Sequence, residues 1–169
     1  NEKTRFVATY RLPNEIVEDD DPKLFYFFEN RLYSRDGNLN WRLQIWQDVV
    51  SDLRFNNKAL IGYQYKDKIP TMDNPLRAGD DGTNENVHNY FINILARGGL
   101  IHLTIVLLMY YFIYKRNEEI NGKFYLMPLV LPIMITSFFD ASMENSHFPV
   151  ISLFLLGLSF HKNKIFKNY

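Results

Sequence analysis

Two residues of this chain join a reactive side chain to a place in the sequence that could use it. His88 follows a long polar loop and stands where an apolar helix opens, with Thr83, Asn84 and Asn86 as capping residues just before it. The positive end of a helix dipole favours the neutral imidazole, and a neutral imidazole can take a proton from a hydroxyl. Arg42 lies on the apolar stripe of a second helix and projects between Trp46, Val49 and Leu53. A guanidinium on a packed face needs an anionic partner or a route to water. Each residue also has a plainer reading, which its position alone favours: an interfacial histidine with no reaction to serve, and an arginine that snorkels or pairs with a local aspartate.

Other chemistries are excluded or lack their residues. The chain has no cysteine, which removes disulfides, thiolate zinc sites and a cysteine nucleophile but does not choose a redox compartment. Its 19 basic and 19 acidic residues give no global pull toward nucleic acid or anionic surfaces. No HExxH motif, Walker-type loop or Gly-x-Ser-x-Gly elbow occurs, and no carboxylate cluster has metal spacing although Asp19 to Asp21 are consecutive, so no metal and no cofactor is expected. The acidic triplet Asp19 to Asp21, in a proline-bounded loop, reads as a solvated face. His102 lies fourteen residues beyond His88, roughly 20 Å along a helix, too far to share a metal with it. His147 and His161 fall at expected membrane edges.

The elements that must hold Arg42 and His88 divide the chain into two unlike parts. The mean hydropathy of −0.23 averages a charged segment, 1–86, with a segment, 87–169, that carries three apolar runs. The runs are Gly98 to Tyr114, Phe124 to Phe139 and Phe148 to Phe160, the last short for a crossing. Pro128 and Pro132 within the second are better tolerated in a membrane helix than in a soluble one. Lys115, Arg116 and Lys123 follow the first run, and Lys162, Lys164 and Lys167 follow the third, whereas the connector Asp140 to His147 has acids and no Lys or Arg. This alternation places the basic segments in the cytoplasm, and residues 1–97 and 140–147 outside. The expected fold is all-α: a polytopic helical membrane protein with an outer segment and about three membrane helices. A soluble helical domain with three buried hairpin helices explains the short runs but not the charge alternation. The 169 residues begin at Asn1 without a secretory signal, which reads as part of a longer protein.

Within the outer segment, KLFYFFENRLYS reads as a short helix or interfacial segment, and Arg35 to Asn38 has turn chemistry. Leu39, Leu43, Trp46, Val50 and Leu53 have helical spacing, with Asn38 as N-cap. Residues 55–86 form a loop longer than connections usually are, hence either functional or disordered.

Three motifs, in order, resemble the O-antigen ligase/polymerase superfamily of bacterial membrane glycosyltransferases. WRLQIWQDVV is similar to that family's Arg-x-x-x-Trp helix. FNNKALIGYQY is similar to its asparagine/proline–leucine–glycine turn, with Lys58-Ala59 where a proline is usual. HNYFINILARGGLIHL is similar to its His-Asn segment leading into a membrane helix. The resemblance covers about residues 38–160, and the spacing of 46 between Arg42 and His88 is typical of it. It implies a C-type glycosyltransferase architecture in the bacterial inner membrane, multi-pass, with the active site facing the periplasm. It implies an inverting, metal-independent transfer of a glycan from a polyprenyl-diphosphate carrier to an acceptor hydroxyl, such as lipid A-core. Arg42 would hold the diphosphate and His88 would activate the hydroxyl, with Asn89, Arg35 and Trp46 binding substrate. The family's further arginine would precede Asn1, so this chain would be inactive alone. Repeat-unit polymerase and protein O-oligosaccharyltransferase are the alternatives within the family, and a non-catalytic membrane transport or scaffold protein is the alternative outside it.

Overall fold

The computed structural model describes residues 24–77, 87–140, 142–144 and 147–160. The acidic loop at 13–22, the capping candidates Thr83, Asn84 and Asn86, and the basic residues after 160 lie outside them.

The described chain is mostly helical, but it opens with a β-hairpin. β1 (Phe25–Phe28) pairs antiparallel with β2 (Arg31–Ser34), with Phe28 opposite Arg31. This corrects the reading of KLFYFFENRLYS as a short helix. Glu29 and Asn30 both take positive φ, 45° and 62°, the conformation of a two-residue hairpin turn. The aromatic residues then alternate between faces, and Tyr26 stacks on Tyr33 across the strands at 5.6 Å.

α1 (Gly37–Phe55) begins two residues earlier than expected. Its N-cap is Asp36 rather than Asn38: the Asp36 carboxylate accepts from the Leu39 amide at 2.7 Å. Asn38, now inside the helix, accepts from Arg42 Nε at 3.2 Å. α1 is buried on two faces. Ile45, Trp46, Val49 and Leu53 face an apolar core with Tyr63, Ile69, Val87 and Ala96. Asn40, Gln44 and Asp48, one turn apart, form a buried polar stripe that the hairpin and a later loop complete. Asn40 accepts from the Ser34 amide at 3.1 Å and Gln44 donates to the Leu32 carbonyl at 3.0 Å. Asp48 takes Arg31 on one oxygen and Arg77 on the other, each at 2.6 Å. A carboxylate held among packed side chains requires such partners.

The loop after α1 is not structureless over its described part. Pro70–Asp73 and Pro75–Arg77 are 3₁₀ turns, and Asp52, raised above the usual carboxylate range by burial, accepts from the Thr71 hydroxyl at 2.5 Å. α2 (Tyr90–Asn121) follows, with a break at Gly99. α3 (Met127–Phe139) carries Pro128 in its first turn, where the missing N–H costs no hydrogen bond, and Pro132 inside. A short 3₁₀ turn at Ser142–Glu144 leads to α4 (Phe148–Ser159). The three apolar runs are therefore helical, apart from the break at Gly99 and the turn at Phe124 to Leu126 that precedes α3. Among the described residues α2 alone is long and apolar enough to cross a membrane, and most of its apolar stretch is not buried. α3 and α4, with 13 and 12 residues, are about 20 Å long, short of a hydrocarbon core of about 30 Å.

Candidate functional site

Three pieces of chain meet around His88: the first half of α1, the residues just before α2, and the C-terminal end of α3. His88 does not open the helix as expected. The N-cap of α2 is Asn89, whose side chain accepts from the Ile92 amide at 2.9 Å. His88 stands one residue earlier, with φ at +52°, a left-handed conformation uncommon outside glycine that occurs at functional sites. Trp46 holds this segment from below: its indole N–H donates to the Val87 carbonyl at 2.8 Å inside the core. Phe138 of α3 packs edge-on against the Trp46 ring, centroids 5.6 Å apart.

Arg42 is one turn before Trp46 and reaches the same place. Its guanidinium donates to Asn38 and to the Phe139 carbonyl at the end of α3. A guanidinium has five N–H donors, so capacity remains for an anion. The plainer reading of Arg42 as paired with a local aspartate does not describe these bonds: its partners are an amide and a carbonyl. Asp140, the C-cap of α3, is the nearby acid.

The half-buried imidazole of His88 lies against the Trp41 ring, centroids 4.9 Å apart and planes at 53°. Its pKa falls below the ordinary 6.5, first because burial penalises the cation and second because Arg42 is a neighbouring positive charge; Asp140 opposes the shift. Both effects favour the neutral imidazole of His88, and packing and Arg42 supply them rather than a cap position. Arg42, His88 and Asp140 are electrostatic neighbours from three separate elements.

The remaining candidates fall in different places. Asn89 is 1% exposed, and its side-chain amide nitrogen has no hydrogen-bond partner among the described residues. Trp46 is a core residue with its one donor committed to Val87. Arg35 stands exposed at the junction of β2 and α1, its amide on the Leu24 carbonyl at 3.1 Å and its charge acting on Tyr26 in the hairpin. Two residues that touch the site escaped the sequence reading: Trp41, adjacent to Arg42 in WRLQIW, and Asp140, noted only as part of an acidic connector. Among the described residues no group of three or more His, Asp or Glu is placed to hold a metal ion. The arrangement offers a cation with spare donors, a neutral base beside it, and an aromatic wall.

No family model matches the sequence, and comparison with curated proteins and with solved structures likewise gives no match.

Proposed function

We propose that this chain is the C-terminal part of a multi-pass membrane glycosyltransferase of the O-antigen ligase type. It moves a glycan from a polyprenyl-diphosphate carrier to an acceptor hydroxyl at the outer face of the bacterial inner membrane. The observation that carries this reading is the meeting of Arg42 and His88, 46 positions apart in sequence: Arg42 bonds the Phe139 carbonyl at the end of α3, and the His88 ring packs on Trp41, the residue before Arg42. Arg42 binds the diphosphate and stabilises the negative charge that grows on it as the anomeric bond breaks. His88 accepts the proton of the attacking hydroxyl, which adds to the anomeric carbon from the face opposite the departing diphosphate. Charge, proton and leaving group balance without a metal: the hydroxyl proton goes to the imidazole, and the bonding electrons leave with the diphosphate.

The two-ended contact pattern supports a membrane placement of α2, α3 and α4. Residues that the charge alternation puts outside, Arg42, His88 and Asp140, are neighbours at one end. At the other end Asn117 and Asn121, beyond the basic pair Lys115 and Arg116, donate to the Ser159 carbonyl at 2.8 and 2.6 Å. Large apolar side chains between the ends, among them Ile105, Phe112, Ile135 and Phe154, are exposed, as lipid-facing residues would be.

Glycan transfer by the full-length protein, with a polyprenyl-diphosphate-linked glycan as donor, tests the reading. Loss of product in Arg42→Ala and His88→Ala, with protein levels unchanged, is the expected result; transfer at the wild-type rate by either variant overturns the assignment. One glycan chain joined to a lipid core marks a ligase, and a ladder of repeats left on the carrier marks a polymerase.

A further inference from the structure

The break in α2 is filled by a second segment. Gly99 has φ +66° and ψ −167°, which ends the first helical stretch and frees backbone groups on both sides. The loop 58–64 takes them up. The amides of Leu100 and Ile101 donate to the carbonyls of Ala59 and Leu60 at 2.9 and 3.2 Å. The carbonyls of Ala96 and Arg97 accept from the amides of Tyr63 and Gln64 at 2.7 and 2.8 Å. Two glycines permit this approach: a Cβ on Gly99 would lie 2.2 Å from the Leu60 backbone, and one on Gly62 would lie 2.5 Å from that of Arg97.

The tip that this joint carries is apolar and uncovered. Leu60 is 62% exposed and Ile61 51%, beside Leu100 and Ile101 of α2, at 48% and 54%. Polar residues bracket the tip, with Lys58 on one side and Lys66, Asp67 and Lys68 on the other. Tyr65, largely exposed, lies with its ring 5.8 Å from the Arg97 guanidinium.

We infer that residues 59–61 dip into the acyl chains of the outer leaflet, as a short re-entrant wedge beside the first turn of the spanning part of α2. The inference rests on the membrane placement of α2 proposed above. The hydrogen bonds to Leu100 and Ile101 set the depth of the tip, because they hold Ala59 and Leu60 level with residues that begin the apolar span. Backbone lies in hydrocarbon at least cost where its polar groups are satisfied within the protein, and the cross-bonds at Gly99 take up the carbonyls of Ala59 and Leu60. Lys58 and the 66–68 stretch then mark the level at which the loop leaves the lipid, with Tyr65 in the aromatic belt.

The absence of cysteine from this chain makes the test direct. Leu60→Cys, Ile61→Cys, Ile105→Cys and Lys66→Cys are introduced singly into the full-length protein, in a background free of other cysteines. Each is labelled with a thiol-reactive fluorophore and reconstituted in phosphatidylcholine vesicles with or without acyl-chain bromine. In parallel, unlabelled protein is treated with a membrane-impermeant maleimide. The expected result is bromine quenching at Leu60 and Ile61 comparable with that at Ile105, and maleimide reaction about tenfold slower than at Lys66, in line with thiol access. Reaction at Leu60 as fast as at Lys66 overturns the wedge, and so does slow reaction without quenching, which means that protein covers the tip. Quenching at Ile105 without quenching at the tip defeats the wedge alone. Maleimide reaction at Ile105 as fast as at Lys66 defeats the membrane placement of α2 and the wedge with it.

Discussion

The indole N–H of Trp46 donates to the carbonyl of Val87, the residue immediately before His88, at 2.8 Å and out of reach of solvent. One turn of α1 earlier, Arg42 points into the same site. The bond therefore couples the two candidate reacting groups: α1 carries the arginine and, through Trp46, holds the backbone that presents the histidine.

Trp46→Phe keeps an aromatic ring but removes this donor and the five-membered ring of the indole. It leaves a buried carbonyl unpaired, at a cost of about 1–3 kcal/mol. The expected outcome is a lowered thermal midpoint in the purified full-length protein and a fall in transfer larger than the lost folded fraction explains. Unchanged turnover per folded molecule would mean that His88 is held without Trp46.

The acid limb of the pH–rate profile should report His88. Burial and Arg42 lower its pKa from the ordinary 6.5, and Asp140 raises it. Activity that needs the neutral imidazole thus falls, on acidification, at a pH below 6.5. Asp140→Asn removes the opposing negative charge and moves that limb to still lower pH. The same shift enters stability with a definite sign: His88 binds a proton less readily folded than unfolded, so its contribution is present above about pH 6.5 and is lost as pH falls through the folded value. An acid limb moved upward by Asp140→Asn contradicts this account of the site's electrostatics.

Asp48→Ala leaves Arg31 and Arg77 facing each other among largely buried side chains, 14% and 11% exposed. Removal of the anion from such a triad costs about 3–5 kcal/mol. Chemical denaturation should show the loss, with little relief from added salt because the group is screened poorly. A change under about 1 kcal/mol would place these arginines in solvent contact that the fold does not show.

Gly62→Ala and Gly99→Ala should each prevent accumulation of folded protein, since both put a Cβ on neighbouring backbone at positive φ. Gly157→Ala, with nothing within 4 Å of the added carbon, should be neutral or stabilising by about 1 kcal/mol in a helix interior. Expression and thermal stability of the three variants separate the joint at Gly99 from a general sensitivity to glycine replacement.

The sequence showed much of this arrangement, and the misses have physical causes. Apolar runs longer than a strand identified the segments that fold as α2, α3 and α4. The helical spacing through Trp46 and Leu53 located α1, but its buried line runs through Ile45 and Val49, because the polar stripe of Asn40, Gln44 and Asp48 is buried as well. That stripe is invisible to an apolar pattern: its partners Arg31 and Arg77 are distant in sequence. The hairpin was hidden because its turn is Glu29-Asn30 rather than a glycine pair. Gly98-Gly99 was in plain view, yet the break needs Gly62 to complete it, and no local pattern links the two. Arg42 and His88 were legible as residue types in suitable places. Their proximity, and the part of Trp41 and Asp140 in it, required the fold.

The division of labour between Arg42 and His88 is the central claim, and donor affinity set against turnover tests it most directly. In the full-length protein, binding of the polyprenyl-diphosphate-linked donor and single-turnover transfer are measured for Arg42→Ala and His88→Ala. Weakened donor binding in Arg42→Ala, together with near-normal donor binding but lost transfer in His88→Ala, is the result the account predicts. Normal donor binding in Arg42→Ala, or transfer that survives in His88→Ala, contradicts it.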